Sequence, residues 1–363
     1  PNEALYGVAA ISSKDVWAVG YSLVSSTSPY QTLTEHWNGV AWSVVASRNV
    51  GPFNNFFYGL AAIASNNVWA VGGYQQSKNS PDQTLIEHWN GTSWSVVTSP
   101  NVGTSDNVFN GVVAISTNDV WAVGDYHKTS TSPYQTLTEH WNGTSWSAVT
   151  SPNVGKSTNG LIQVAANSTS DVWAVGVWSQ TTKSPYQTLT EHWNGTSWSV
   201  VTSPNVGTST NYLQGVEAIA SNNVWAMGYA FKNTTSPAQT LAEHWNGTSW
   251  SVVTSPNVGA FNNFFSRVEA VSSNDVWAMG GYYTSNSSNA PEQTLTEHWN
   301  GTVWSVVFSP NFGGANTANQ LWGVAAIVTN DVWSVGDNVT SSTNFQAFTE
   351  HWNGKSWSII PPG

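Results

Sequence analysis

Short apolar stretches alternate with polar ones along the whole chain, and none recurs at the 3.6-residue spacing of a helix. The first is a run of small and β-branched residues, Gly-Val-Ala-Ala-Ile, from Gly7 to Ile11. After a short polar turn come Val16 to Tyr21, then Gln31 to Trp37, then Ala41 to Val45. β-Branched and aromatic residues dominate these segments, so each reads as a strand. We call them A, B, C and D. Asn38-Gly39 stands between C and D and is a strong hairpin signal. The turn between A and B, Ser12 to Asp15, ends in a residue that suits a turn cap.

This four-strand pattern repeats. Asp-Val-Trp-Ala-Val-Gly and its variants place a Trp at 17, 69, 121, 173, 225, 277 and 333. Glu-His-Trp-Asn-Gly places one at 37, 89, 141, 193, 245, 299 and 352. A third follows at 42, 94, 146, 198, 250, 304 and 357. Of 23 tryptophans only Trp178 and Trp322 fall outside this frame. Four-stranded units of this length, repeated seven times, predict an all-β fold, a seven-bladed β-propeller of antiparallel blades of about 52 residues. A solenoid is the competitor, but its units are usually shorter and its ends are capped. Here the first and last units look like the middle ones. The expected organisation is one domain over 1–363, with blades at 1–48, 49–100, 101–152, 153–204, 205–256, 257–310 and 311–363. Strand A is small, which suits a crowded axis, while the tryptophans lie on B, C and D, where the blades splay. The simplest closure packs blade 7 on blade 1 without sharing strands.

The order Gly-Val-Ala-Ala-Ile, Asp-Val-Trp-Ala-Val-Gly-Gly-Tyr, an aromatic-ended third strand and a Trp opening the fourth resembles the kelch repeat. The double glycine that ends the kelch second strand is kept at Gly72-Gly73 and Gly280-Gly281. Elsewhere the pair is Gly20-Tyr21, Gly124-Asp125, Gly176-Val177, Gly228-Tyr229 or Gly336-Asp337. The near-identity of the blades is similar to that of recently amplified bacterial propellers. The resemblance implies the fold. Kelch-like propellers include enzymes and binding scaffolds, so it implies no one function.

Composition narrows the chemistry. Only 8% of residues are charged, with net charge −11, and Arg48 and Arg267 are the only arginines. Nucleic-acid binding needs a basic stripe and is not expected. The absence of cysteine removes disulfides, thiol catalysis and Cys-ligated metal. It also removes the Cys–Tyr cross-link that the galactose-oxidase relatives of kelch use. Two distant arginines cannot form a sialidase-like cluster, and no Gly-x-Ser-x-Gly elbow or phosphate loop occurs. A chain that is not an enzyme and needs no cofactor is the expectation. No apolar run reaches membrane-spanning length, so no membrane insertion is expected. The sequence starts at Pro1, shows no signal-peptide pattern, and reads as a mature or excised fragment. A surface of Ser, Thr and Asn suggests a secreted or cell-surface protein.

Seven of eight histidines follow the strand-C glutamates, from His36 to His351. Successive strand residues point to opposite faces, and equivalent residues on adjacent blades would lie roughly 15 Å apart, so no shared metal ion is expected. These His and Glu side chains read as buried hydrogen-bonding groups. The turn residues Asp15, Asp119, Asp171, Asp275 and Asp331, replaced by Asn67 and Asn223, read as caps on backbone amides. Asn90, Asn142, Asn194, Asn246 and Asn300 match the glycosylation sequon, as do Asn167, Asn233, Asn286 and Asn338. Asn38 and Asn353 keep the turn without the sequon, which favours a turn role.

Candidate function sits on the loops. The A–B and C–D turns share one face and hardly vary. The B–C and D–A loops share the other and do vary, as binding loops on rigid scaffolds do. Seven of nine basic residues fall there, Lys78, Lys128, Lys183, Lys232, Arg48, Lys156 and Arg267. Candidate ligand-binding residues are Tyr30, Tyr134 and Tyr186, each after Ser-Pro, with Tyr126, His127 and Trp178. Rings among neutral donors and acceptors suit a glycan or another neutral ligand, with avidity from repetition. Asp125 with His127 is the only pair suggesting hydrolysis. The alternative is a scaffold or surface-coat protein that binds proteins or copies of itself, cued by Phe53, Phe56, Phe57 and Phe261, Phe264, Phe265.

Overall fold

The structure is a computed structural model that describes residues 2–25, 27–286, 290–314, 317–341 and 344–361. Among these residues it contains 28 strands, β1 to β28, in seven four-stranded antiparallel sheets and no helix. In blade 1 the strands are β1 (Asn2–Ser12), β2 (Asp15–Leu23), β3 (Gln31–Trp37) and β4 (Trp42–Val44), and each later blade repeats this A-B-C-D order. Each A strand packs against the A strands of both neighbours, so the sheets radiate from a common axis as a seven-bladed β-propeller. Blade 1 meets blade 7 through Asn2–Ser12 and Ala318–Val328, and among the described residues no strand is shared across this seam.

Strand A runs further than the repeat pattern indicates, starting at Asn2 rather than Gly7. Its extra half carries residues that differ from blade to blade, so no repeated pattern marks it. Strand D is shorter, three or four residues.

Each A strand has two register shifts, one beside the A–B turn and one in its outer half that leaves Tyr6, Tyr58, Asn110, Ile162, Gln214, Ser266 or Trp322 unpaired as a bulge. Strand B answers each bulge with a glycine. A Cβ on Gly124 would lie 1.9 Å from the Val108 carbonyl oxygen, and Gly20, Gly72, Gly176, Gly228, Gly280 and Gly336 are equally tight. This close approach, rather than a special backbone angle, explains the glycine ending Trp-Ala-Val-Gly.

Tryptophans fill the seams between blades. Trp17 of blade 1 packs on Trp89 and Trp94 of blade 2, with ring centroids 4.9 and 5.4 Å apart. The same triad recurs around the ring and ends with Trp333 of blade 7 against Trp37 and Trp42 of blade 1. The strand-B tryptophans are at most 2% exposed. Burying a ring of this size is the largest apolar gain each seam makes.

The Asn-Gly turn differs from the expected two-residue hairpin. Trp37 pairs with Trp42, so four residues form the loop. Among the described residues only glycines take positive φ, including Gly39 at 92°. A two-residue type I′ turn would need it at Asn38 as well. Instead Asn38 Oδ1 accepts from the amides of Val40 and Ala41, and the equivalent Asn does so in all seven blades. The cap forms with or without the sequon.

Candidate functional site

The two faces of the disc carry different chemistry. On the A–B/C–D face, His36 Nε2 lies 2.8 Å from Asp15 Oδ1, and each strand-C histidine meets its turn residue in the same way. The turn Asp is thus the partner of a histidine one strand away, not chiefly a cap on backbone amides. Asn67 and Asn223 serve because they also present an oxygen, so His88 and His244 donate from Nε2. The histidine ring also lies against the strand-B tryptophan, 4.4 Å away at Trp17–His36. Burial lowers the pKa of His88 and His244. Among the described residues no three His, Asp or Glu side chains gather as metal ligands.

The strand-C glutamates point the other way and are fully buried, with Glu35, Glu139 and Glu297 making no hydrogen bond. The histidines bond within their own blade, whereas some glutamates are tied across a seam, Glu87 to the Arg48 amide and Glu350 to the Ser309 hydroxyl. Burial pushes Glu35 up to about 7, Glu297 to about 8 and Glu139 to about 9. Protonated carboxyls are the form a dry site favours.

On the B–C/D–A face the blades diverge. One position in strand A, the bulge, the seventh and ninth residues of strand B and the first of strand C all change from blade to blade. In blade 3 these are Val108, Asn110, Asp125, His127 and Tyr134; in blade 5 they are Tyr212, Gln214, Tyr229, Phe231 and Ala238. They line a shallow aromatic bowl with two clefts.

The first cleft, about 250 Å³, lies over blades 3 to 5 and is lined by Asp125, Tyr134, Thr158, Gly160, Ile162, Val177, Tyr186 and Tyr212. Tyr134 and Tyr186 are exposed, at 41% and 36%. Tyr134 pairs across strands with His127, ring centroids 3.7 Å apart. His127 Nδ1 donates to the Ser132 carbonyl at 2.7 Å, so in the neutral ring Nε2 is the acceptor. Asp125 accepts from Asn110 Nδ2 at 3.0 Å, and burial pushes it up to about 6.

The second cleft, also about 250 Å³, lies over blades 5 to 7 between Gln214, Tyr229, Phe231, Ala238, Asn262, Phe264, Tyr283, Gln320 and Trp322. Trp322 donates to Asp337, and its ring lies 5.4 Å from Tyr6.

The sequence candidates separate in space. Tyr134, Tyr186 and His127 belong with the first cleft. Tyr30 is half-buried in the bowl wall of blade 1, 4.4 Å from Tyr21. Tyr126 and Trp178 line neither of these two clefts, and Tyr126 instead borders a separate cavity of about 150 Å³ with Val102, Gln135 and Asn153. They follow Asp125 and Val177 by one residue, point to the opposite face of the sheet and pack into the seam cores. The bulge residues were missed, Trp322 being noted only as lying outside the frame. Their signal was available, because the residue before Gly-Val-Ala-Ala and its equivalents change from almost every blade to the next.

Arg267 is not among the loops. It projects from strand A into the axial channel and donates to the carbonyls of Gln214 (2.8 Å) and Ser266 (2.9 Å), its pKa pulled to about 10 by burial. Gly7, Gly59, Gly111, Gly215 and Gly323 hold the equivalent position in five blades, and Gln163 holds it in the other. The glycines leave room for the two large side chains. Beyond them a cavity of about 290 Å³ includes Glu217 and Glu269. Nor do the two Phe clusters form exposed patches. Phe57 and Phe265 are fully buried, Phe56 is 7% exposed and Phe264 lines the second cleft.

No family model matches the chain, and no curated protein matches it. Solved structures do. YCF48 bound to D1 peptide is 13% identical with a TM-score of 0.55, covering 93% of this chain and 91% of that one. An ulvan lyase of family PL25, bound to -[GlcA(1-4)Rha3S]-, is 10% identical with a TM-score of 0.60, covering 99% and 96%. The β-propeller domain of the Trilobed protease from Pyrococcus furiosus, described as having an open velcro topology, is 9% identical with a TM-score of 0.55, covering 99% and 98%. The expectation that the chain is not an enzyme does not stand. A polysaccharide lyase is built on this fold over nearly its whole length, so a missing Cys, arginine cluster or nucleophile elbow does not exclude catalysis. What these likenesses establish is the fold, a seven-bladed β-propeller.

Proposed function

We propose that the chain is a carbohydrate-binding propeller, acting outside the cell, that takes a saccharide in the bowl of its B–C/D–A face. One observation carries this: blades that are otherwise near copies diverge where their side chains line that bowl. Variation among side chains that converge on one concave patch of a repeated scaffold is what a ligand site would produce. Tyrosine rings offer stacking faces, and their hydroxyls with Asp125, Thr158 and Gln214 offer hydrogen bonds to sugar hydroxyls. Propellers that bind a polysaccharide or a peptide support a ligand on such a disc. We also read the blade as kelch-like, on its Asp-Val-Trp strand and the Gly72-Gly73 and Gly280-Gly281 pairs.

The test is a glycan array followed by titration of Tyr134→Ala and Tyr186→Ala. Each should weaken binding about tenfold, the equivalent of about 1.4 kcal/mol. Tyr126→Ala, in the seam, should leave affinity unchanged. A blank array, or Tyr126→Ala weakening binding as much as Tyr134→Ala, rejects the reading.

A second reading, a protein scaffold, has one observation in its favour. The outer strand of blade 6 exposes Val303, Val306 and Phe308, at 54, 45 and 81%. Blades 2 to 5 carry Ser and Thr at the places of Val303 and Phe308. An exposed apolar edge strand invites pairing. Light scattering of the parent and of Phe308→Ser reads self-association directly.

A further inference from the structure

We propose that the two clefts are subsites of a single site, and that its ligand is a linear, uncharged oligosaccharide long enough to fill both. This rests on the carbohydrate reading above. At about 250 Å³ each cleft falls short of the roughly 300–1,000 Å³ of a self-sufficient ligand pocket, while the two together fall within it.

Between them stands one stacked pair, Tyr212 and Tyr229. The rings are 5.3 Å apart and 3° from parallel. Tyr212 lines the first cleft and Tyr229 the second. They are direct partners across strands A and B of blade 5, so the backbone register fixes the stack. A chain leaving one cleft therefore crosses a rigid aromatic ridge into the other.

The polar groups also suit a chain without charge. The second cleft offers the amides of Gln214, Asn262 and Gln320, and Gln214 Oε1 is buried with no partner within the chain. Among the described residues lining the clefts there is no Lys or Arg, and Asp125 faces the first. Arg267 is committed to carbonyl oxygens, and the B–C loop lysines are exposed outside both clefts. A uronate or sulfate would meet Asp125 without a counter-charge.

The experiment is calorimetry with ladders of neutral glucan, xylan and mannan oligomers, from dimer to octamer, and a galacturonan ladder as the anionic probe. For at least one neutral ladder, affinity should rise at least about tenfold with length and then level off, at one long oligomer per protein. Galacturonan should bind more weakly than that ladder at every length. Phe264→Ala and Gln214→Ala, in the second cleft, should remove the gain with length. Tyr134→Ala should weaken every oligomer long enough to show that gain. If a dimer and an octamer bind equally, if two octamers bind per protein, or if galacturonan binds best, the single uncharged site is overturned while the carbohydrate reading stands. If no ladder binds at any length, both fall.

Discussion

Adjacent residues of strand C lead opposite lives. His140 reaches Asp119 at 2.8 Å near the surface, while Glu139 is fully buried without a hydrogen bond. Alternation along a strand dictates the split. For Glu139, burial raises the carboxyl from 4.5 to about 9. Between those values the folded protein holds a proton that the unfolded chain has released. Stability therefore falls as pH rises through this window, by roughly 1.4 kcal/mol per unit. The equivalent glutamates of the other blades rise to about 7 or 8 and act in the same direction. The melting temperature should thus be lower at pH 9 than at pH 6. Glu139→Gln, which mimics the protonated group, should match the parent at pH 5 and exceed it by at least about 1.4 kcal/mol at pH 9. A flat pH profile would show that these carboxyls ionise freely. His88 and His244, with lowered pKa, pull the other way, and their contribution is lost as pH drops below the ordinary His value of 6.5. At the turn, Asp119→Asn copies what Asn67 already does and should cost under about 0.5 kcal/mol. Asp119→Ala strips His140 of its partner and should cost about 1–3 kcal/mol. Urea titration of the two variants separates a needed oxygen from a needed charge.

At the scale of the strand, the bulge is the device that builds the site. It presses strand A onto strand B, which must then carry Gly124 or its equivalent, and it frees one side chain per blade to vary. Below it, the strand-B tryptophans hold the seams. Trp121 is 1% exposed and touches His140, Trp193 and Trp198. Trp121→Ala should destabilise by about 3–5 kcal/mol, in line with large-to-small core changes. A loss below about 1 kcal/mol in chemical denaturation would mean that the seam repacks around the gap.

At the scale of the ring, the closing seam joins blade 7 to blade 1 by side-chain packing and by hydrogen bonding. Trp333 meets Trp37 and Trp42, and Asn2 Oδ1 accepts from the Phe345 amide at 3.3 Å. Among the described residues no strand is shared across this seam, so no backbone ladder there locks first blade to last. Trp333→Ala and Trp121→Ala remove the same side chain, one at the closure and one inside the ring. Hydrogen exchange should rise in blades 1 and 7 for Trp333→Ala and stay high in protection elsewhere, as local opening predicts. Equal loss of protection in all blades would show that the ring opens nowhere in particular.

Seven near-identical units made the blade, its strand order and the seven-fold ring readable from the chain alone, because a repeat exposes short-range patterning seven times over. In blade 1 strand C was legible to the residue, Gln31–Trp37, since its Glu-His-Trp end recurs in every blade. The upper half of strand A was not, since it carries the variable residues. Tyr134 and Tyr186 were legible as aromatics on the variable face. Their meeting with Ile162 and Tyr212 was not, nor was the placing of Tyr126 and Trp178 away from these two clefts. Those outcomes depend on which face of a sheet a residue takes and where a bulge shifts that parity. They also depend on which side chains of separate blades the ring brings to one place. Local composition determines that a strand forms. Only the packed ring decides which strands share a cleft, because the contacts that make one join residues about 50 positions apart, such as Ile162 and Tyr212.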